Sequence, residues 1–241
     1  MNALKRSNDR KVTNKVSQNG KKSLIKNTFG LPSGKIFSCP GQTSICESVC
    51  YAGKLEKIYK GVSSVLLHNW NLLQSCSTED EIVELLDSMI QDFRQDCIKY
   101  NAKPYFRIHW DGDFYDMRYT RAWNRVIRMN ASVHFWVYTR SWFAIPELVN
   151  IPNLSLYFST DSENFKMAVS LKNIYGVKLA YLADNFHKGE SEFHMIQDKR
   201  PTRCPENNGR IPLISQNGSA CGLCGACIYN RNDILFSASK K

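Results

Sequence analysis

Short apolar runs alternate with amphipathic stretches through the middle of the chain. Helical periodicity marks residues 118–129 and 162–173, which follow the first and the third of these runs. Strands that alternate with helices are typical of βαβ units, which build a mainly parallel sheet through right-handed crossovers. Four runs are therefore predicted to be β-strands: Tyr105–Trp110, Val133–Tyr138, Leu154–Phe158 and Val177–Leu182.

Two longer helices are predicted ahead of these strands. Helical periodicity runs from Lys54 to Cys76, and Ser77 begins a helix start signal with acidic residues in its first turn. Cys76 and Cys97 fall at apolar positions of these helices, which favours packed thiols over metal ligands. A short strand, Lys35–Cys39, is predicted before both helices.

The number of strands bears on the fold class. Lys35–Cys39 and the four apolar runs make five strands, and Arg210–Ile214 is a candidate sixth. A closed barrel of this class has eight, so the sequence favours an α/β fold with an incomplete (β/α) barrel, TIM-like in type. A doubly wound open sheet is the alternative. The predicted organisation is a basic flexible arm (1–34), a partial-barrel domain (35–200) and a cysteine-rich metal module that packs on the barrel (201–241).

Composition limits the cellular setting. At 241 residues and 43% hydrophobic, the chain can bury the core of one domain and a small module. No apolar run approaches the roughly 20 residues of a membrane span, and the lysine-rich start lacks the apolar stretch of a secretory signal. We therefore expect a cytoplasmic protein, in which cysteines bind metal more readily than they form disulfides.

The net charge of +10 is concentrated at the start of the chain. Residues 1–35 hold nine Lys and Arg against Asp9 alone, so the rest of the chain is nearly neutral. A mobile basic arm can bind the phosphate backbone of a nucleic acid, and it can equally serve only as a solvated, solubilising tail. Both interpretations stay open at this point.

Four cysteines lie near the end of the chain. Two residues separate Cys221 from Cys224 and Cys224 from Cys227, while Cys204 precedes a proline. Bacterial ferredoxins combine this double two-residue gap with a further Cys-Pro. Glycines between the cysteines let the backbone wrap closely around a cluster. The pattern favours an iron–sulfur cluster, with a structural four-cysteine zinc site as the alternative.

Three more cysteines, Cys39, Cys46 and Cys50, lie on a predicted loop before the first long helix. Six and three residues separate them, and the wide first gap fits an iron–sulfur loop at least as well as a zinc knuckle. Three thiolates are one ligand short of a closed site. Either a distant cysteine, such as Cys204, completes it, or one metal position stays open for a small molecule.

Polar residues follow each predicted strand. Reactive groups gather at the carboxyl ends of parallel strands, although such residues also cap the following helices. On an alternating strand Arg107, His109 and Asp111 share one side. We expect Asp111 and Asp113 to line a pocket that faces the first cysteine set, with an Arg107–Asp111 pair as the structural alternative. The candidate catalytic residues are His109, Asp111, Asp113, Arg140 and Asp161.

Several of these motifs resemble the Gene product 88 domain family, which takes its name from mycobacteriophages. The resemblance covers most of residues 30–230 and implies a phage origin, with little defined biochemistry. It is carried by Cys39-Pro-Gly-Gln-Thr-Ser-Ile-Cys46-Glu-Ser-Val-Cys50-Tyr-Ala, His109-Trp-Asp-Gly-Asp-Phe114, Tyr138-Thr-Arg-Ser141 and the terminal cysteine triplet.

A second resemblance concerns cofactor chemistry. Cys50-Tyr-Ala and the segment Leu156–Glu163 are similar to a phage family associated with the radical S-adenosylmethionine barrel. That superfamily implies a [4Fe–4S] cluster on three cysteines, whose open iron takes the amino and carboxylate groups of S-adenosylmethionine. Its usual spacing, Cys-x-x-x-Cys-x-x-Cys, differs from the gaps of six and three seen in this chain.

Together these features predict a phage-encoded iron–sulfur protein of the host cytoplasm. It would hold one or two [4Fe–4S] clusters and act as a cluster-dependent, radical-type enzyme on a nucleotide, nucleic acid or peptide. Two other classes remain: a non-catalytic iron–sulfur electron carrier, and a zinc-stabilised protein that binds nucleic acid through its basic arm. The substrate and the oligomeric state are not predicted.

Overall fold

The fold is built around one parallel β-sheet. The computed structural model describes residues 3–194 and 201–239. Seven strands lie in the order β1-β2-β3-β4-β5-β9-β6, and every neighbouring pair is parallel. The α/β class with a mainly parallel sheet is thus confirmed. The strands of this sheet are β1 (Thr28–Gly30), β2 (Tyr105–Asp111), β3 (His134–Thr139), β4 (Leu154–Thr160), β5 (Lys178–Ala183), β6 (Thr202–Arg203) and β9 (Ile234–Ser237).

Helices connect these strands. Thr78 caps the longest of them through a capping box with Glu81, so its start is set by a signal visible in the sequence. Cys76, shortly before this helix, and Cys97, near its end, are buried in the core, as predicted. The helices are α1 (Ser44–Val49), α2 (Tyr51–Ile58), α3 (Lys60–Gln74), α4 (Glu79–Lys99), α5 (Met117–Met129), α6 (Ile145–Leu148), α7 (Phe165–Tyr175), α8 (Phe186–His194) and α9 (Ala220–Cys224).

The two faces of the sheet are covered by different parts of the chain. Phe106, Phe135 and Phe158 point to one face and join the main core with helices α4, α5, α7 and α8. Alternate residues such as Tyr105 and Trp136 point to the other face. There the cover comes from the start of the chain and from the cysteine-rich C-terminal segment, not from long helices.

The predicted edge strands differ from those observed. Residues 35–38 form a turn, because the amides of Phe37 and Cys39 both donate to the Gly34 carbonyl, and Ile36 is 87% exposed. The first strand is β1 instead. Ile214 belongs to a separate antiparallel hairpin, β7 (Ile214–Ser215) with β8 (Gly218–Ser219). The prediction of a sixth sheet strand at Arg210–Ile214 is therefore wrong, and β9 takes that place.

Residues 3–34, called the N-terminal segment below, pack against the body of the protein. Val12 and Ile25 are fully buried, and the Asn27 amide group donates to the carbonyls of Val12 and Tyr105. The expectation of a loosely attached arm is wrong for these residues. The lysines of the N-terminal segment are mainly exposed, and they outnumber the few apolar residues that anchor the segment. The segment therefore has the composition of a flexible arm although it is packed.

No helix of residues 3–194 or 201–239 is both long enough and apolar enough to cross a membrane.

Candidate metal centres

Residues 39–50, called the cysteine loop below, lie over the carboxyl ends of the central strands. Thr43 caps α1 and donates its hydroxyl to Asp161 Oδ2 at 2.6 Å, just beyond β4. Gly41 touches the end of β3 so closely that a Cβ there would overlap the Arg140 carbonyl. The loop is therefore held at the edge of the sheet where reactive groups usually gather.

Asp113 ties the ends of β2 and β3 together beneath this loop. Its Oδ1 accepts from the Thr139 hydroxyl at 2.6 Å and from the Phe114 amide at 2.8 Å, while Oδ2 accepts from the Arg140 amide at 2.7 Å. Burial raises the pKa of Asp113 to about 6, against these hydrogen bonds, which lower it. Its oxygens are thus already engaged within the protein.

Arg140 and Asp161 form a buried ion pair at the same place. Arg140 NH1 lies 2.8 Å from Asp161 Oδ2, with the two side chains 9% and 0% exposed. Asp161 Oδ1 also accepts from the Glu163 amide at 3.0 Å. A pair with this burial and this many hydrogen bonds holds the loop firmly in place.

The three thiols of the loop share this polar environment. Burial and the nearby Asp113 carboxylate raise the pKa of Cys39. Burial also raises the pKa of Cys46. The Arg140 guanidinium lowers this pKa, and the Cys50 thiol raises it further. The Gly53 amide donates to Cys50 Sγ at 3.3 Å. The structure therefore brings Cys39, Cys46 and Cys50 to the edge that also carries Asp113, Arg140 and Asp161.

Asp111 has a different partner from the one considered in the sequence. Burial and the neighbouring Glu56 carboxylate raise the pKa of Asp111 to about 9, so its carboxyl group is protonated at neutral pH and can donate to Glu56. Glu56 in turn accepts from the amide of Ser33 at 3.0 Å. Arg107 pairs with Asp9, at 3.6 Å, rather than with Asp111.

His109 lies apart from the other candidate residues. It has a left-handed backbone (φ 57°) at an irregularity in β2, where the three residues 28–30 of β1 lie against the five residues 107–111 of β2. The alternation therefore breaks, and the imidazole packs against Phe114 and donates to or accepts from the Tyr119 hydroxyl at 2.8 Å. The prediction that Arg107, His109 and Asp111 share one face is wrong for His109.

Replacing His109 with Asn should make the protein less sensitive to acid. Burial and Arg107 lower the pKa of His109 to about 3, below its unfolded value near 6.5. The folded protein therefore keeps the full contribution of a neutral His109 above pH 6.5 and loses it as the pH falls toward 3. The free energy of unfolding falls by at most about 1.4 kcal/mol per pH unit in this range. Asn accepts the left-handed backbone and does not titrate.

Urea unfolding at pH 7 and pH 4.5 measures this effect. The loss of unfolding free energy between the two pH values should be smaller in His109→Asn than in the unmodified protein. His187→Asn, at an exposed position, is the control and should leave the difference unchanged. An unchanged pH dependence in His109→Asn would contradict the assignment of a buried neutral imidazole.

Four other cysteines meet on the sheet face opposite the main core. Cys221 and Cys224 lie on α9, and Gly225, with φ 65°, ends this helix so that Cys227 turns back toward the sheet. Cys204 follows β6, and its amide donates to the Leu235 carbonyl of β9. We call Cys204, Cys221, Cys224 and Cys227 the C-terminal cysteine set.

The members of this set lie close enough to affect one another's ionisation. Burial raises the pKa of Cys221, and Cys227 and Cys204 raise it further. The pKa of Cys227 is raised to about 12, mainly by burial and also by Cys204 and Cys224. The Tyr138 hydroxyl, which donates to this thiol, offsets part of the rise. Cys204 therefore lies with the C-terminal set, a point that the sequence left open.

The sequence analysis missed several residues around these thiols. Lys11 was counted as part of a tail and Tyr138 as part of an apolar strand, yet both adjoin the C-terminal set. Glu163 accepts from the Ser44 amide at 3.0 Å and so also holds the cysteine loop. Within the described ranges, no three His, Cys, Asp or Glu side chains are grouped so that they could hold a metal ion.

The fold and the sites define an α/β protein with a parallel seven-stranded sheet and two separate groups of free cysteines. The family model of Gene product 88 matches residues 2–230, and the chain belongs to this family. It is 50% identical over 248 residues to the Gene 88 protein of Mycobacterium phage L5, and 49% identical over 249 residues to that of Mycobacterium phage D29. Both alignments cover 100% of each chain. No solved structure gives a significant match.

Proposed function

We propose that this protein binds iron–sulfur clusters and acts as a cluster-dependent enzyme. The observation that carries the proposal is that Cys204, from a different part of the chain, lies with Cys221, Cys224 and Cys227 and that these thiols influence one another's ionisation. Burial raises the pKa values of the Cys204, Cys221 and Cys227 thiols, so these groups lose their protons readily only when a metal centre neutralises the resulting charge.

The residues around the C-terminal set fit a [4Fe–4S] cluster. Soft thiolates are the ligands that such clusters use, and each thiolate binds a different iron, so the four need not converge on one ion. Apolar residues, including Trp136, Ala226 and Ile228, shield the set from water. The hydroxyl of Tyr138 donates to Cys227, and such donors to cluster sulfurs stabilise the bound form.

The cysteine loop fits a second cluster with an incomplete ligand set. Three thiols, Cys39, Cys46 and Cys50, lie at the edge of the sheet beside charged groups. A three-cysteine cluster supplies one iron with an open position, which can take a small molecule such as S-adenosylmethionine. Arg140, Asp113 and Asp161 are engaged in holding the loop, which assigns them a positioning role. Asp111 Oδ2 is buried without a hydrogen-bond partner among the described residues, so it is the oxygen left to contact a ligand.

The strand order also supports a partial barrel. Strands β1 to β5 follow one another in space as they do in the chain, without the reversal of order that defines a doubly wound sheet. An incomplete (β/α) barrel, radical S-adenosylmethionine-like in type, is the architecture we propose, with the C-terminal cysteine set packed on its inner face. The exposed lysines of the N-terminal segment, such as Lys21 and Lys22, favour a nucleotide or nucleic acid over a peptide as substrate.

Metal analysis after anaerobic purification tests the proposal. The protein should be brown, absorb broadly at about 400 nm and contain iron and acid-labile sulfide in equal amounts. A variant with Cys221, Cys224 and Cys227 replaced by serine should lose the iron of one cluster. A second variant, with Cys39, Cys46 and Cys50 replaced, should lose that of the other.

Cys76→Ala and Cys97→Ala are matched controls, since both thiols are packed in the core away from either group. They should keep the full iron content. Stoichiometric zinc without sulfide would contradict the proposal and favour a zinc-stabilised nucleic-acid-binding protein. Clusters that load without any binding of S-adenosylmethionine or substrate would favour an electron carrier.

A further inference from the structure

Two cations lie against the C-terminal cysteine set. The Lys11 carbonyl accepts from the Cys221 amide at 2.8 Å, which anchors this lysine beside the thiol. Its ammonium group lies 5.2 Å from the centre of the Tyr51 ring and 3.9 Å from Glu206 Oε2. Lys11 is therefore held at the set by its backbone, and the carboxylate that pairs with its ammonium group, Glu206, is distant.

Arg107 reaches the same place from β2. Its guanidinium lies over the ring of Tyr138, 5.5 Å from the centre, and Tyr138 donates to Cys227. The side chain is 10% exposed, and its nearest carboxylate, Asp9 Oδ2, is 3.6 Å away, beyond hydrogen-bond distance. Within the described chain, Arg107 Nε is buried with no hydrogen-bond partner.

A buried guanidinium with an unused donor is costly unless an acceptor completes it. The Tyr138 ring offers Arg107 only its face, and Asp9 is too far away to accept a hydrogen bond from it. Besides Asp9 and Tyr51, the thiol of Cys221 adjoins both Arg107 and Lys11, and the thiol of Cys227 adjoins Arg107. The missing acceptor is thus expected to carry negative charge and to lie at these thiols.

We propose that Arg107 and Lys11 provide the positive charge that balances the C-terminal cluster and keep its reduction potential high. This inference rests on the proposed function. A [4Fe–4S] centre with four thiolates has two net negative charges in its oxidised form, and one electron from a reductant adds a third. Nearby cations stabilise the more negative form more strongly, because Coulomb attraction grows with charge and is weakly screened in a buried site.

Redox titration of the cluster-loaded protein with dithionite tests this charge balance. All variants carry Cys39→Ser, Cys46→Ser and Cys50→Ser, so that the C-terminal cluster alone contributes to the signal. The midpoint potential should become more negative in Arg107→Met and in Lys11→Met, and more negative still in the double variant. Arg107→Lys keeps the positive charge, so its midpoint potential should stay close to that of the parent.

Arg6→Met is the control, because Arg6 is also largely buried (14% exposed) but pairs with Asp96 at 2.7 Å. Its potential should equal that of the parent. Unchanged potentials in Arg107→Met and Lys11→Met at full iron content would overturn the inference, whereas a parent without iron would overturn the proposed function instead. If Arg107→Met does not take up a cluster, the potential of Lys11→Met tests the inference alone. The Lys11 side chain is a quarter exposed, so this position tolerates replacement.

Discussion

Val12→Asp should destabilise the protein by about 3 kcal/mol or more and release the C-terminal cysteine set. Val12 is fully buried in the cluster that also contains Tyr105, Trp136 and Ile228. A carboxylate at this position would lose its hydration among apolar side chains. Because the N-terminal segment binds the C-terminal segment directly through Lys11 and Cys221, the damage should reach the thiols.

Two measurements follow this effect in the metal-free protein. Denaturant unfolding gives the loss of stability, and the rate of alkylation of Cys221 and Cys227 by a maleimide reports their exposure, which should rise. Leu24→Asp is the matched control, because Leu24 is 38% exposed in the same segment. It should change neither the stability nor the alkylation rate by much. Equal behaviour of the two variants would show that the N-terminal segment does not support the cysteine set.

Separating Arg140 from Asp161 should cost about 3–5 kcal/mol in either single variant, Arg140→Met or Asp161→Asn. Each change leaves the other group without its partner in a site that is almost closed to water, with side chains 9% and 0% exposed. Asp161 also accepts from Thr43, so both variants should loosen the cysteine loop. A double-mutant cycle by chemical unfolding measures the coupling between the two groups.

Lys188→Met and Asp184→Asn provide the control pair. The ion pair that they remove is as short, at 2.7 Å, but its side chains are 52% and 68% exposed, so water and salt screen it. These variants should unfold like the parent. If the Arg140 and Asp161 variants did so as well, the pair would not be what holds the loop over the strand ends.

Local patterns were sufficient to locate much of the scaffold. The capping signal at Thr78 and the apolar stripe after it specify α4, since both act within one helix through hydrogen bonds and 3.6-residue spacing. Strands β2 to β5 are detectable because each is a continuous buried run, as parallel strands covered on both faces require. The seven candidate ligands were likewise visible as two groups of closely spaced cysteines.

Short edge elements and backbone irregularities could not be found in this way. Strand β1 has three residues and β9 has four, too few to show a period. The His109 side chain lies on the opposite face from the predicted one because of the register between β1 and β2, and no local sequence pattern indicates that register. Two extra residues of β2 are accommodated there with a left-handed backbone at His109, so the predicted face of polar residues on β2 was partly wrong.

By itself, the sequence determined the class of fold, the family and the spacing of the thiols, because these depend on neighbouring residues. Only the tertiary structure decided that Cys204 lies with Cys221, that the basic N-terminal segment is packed, and that Arg107 and Lys11 face the C-terminal set. These contacts join residues far apart in the chain. They exist because both segments bury apolar residues on the same face of the sheet, and burial of that area depends on the whole fold.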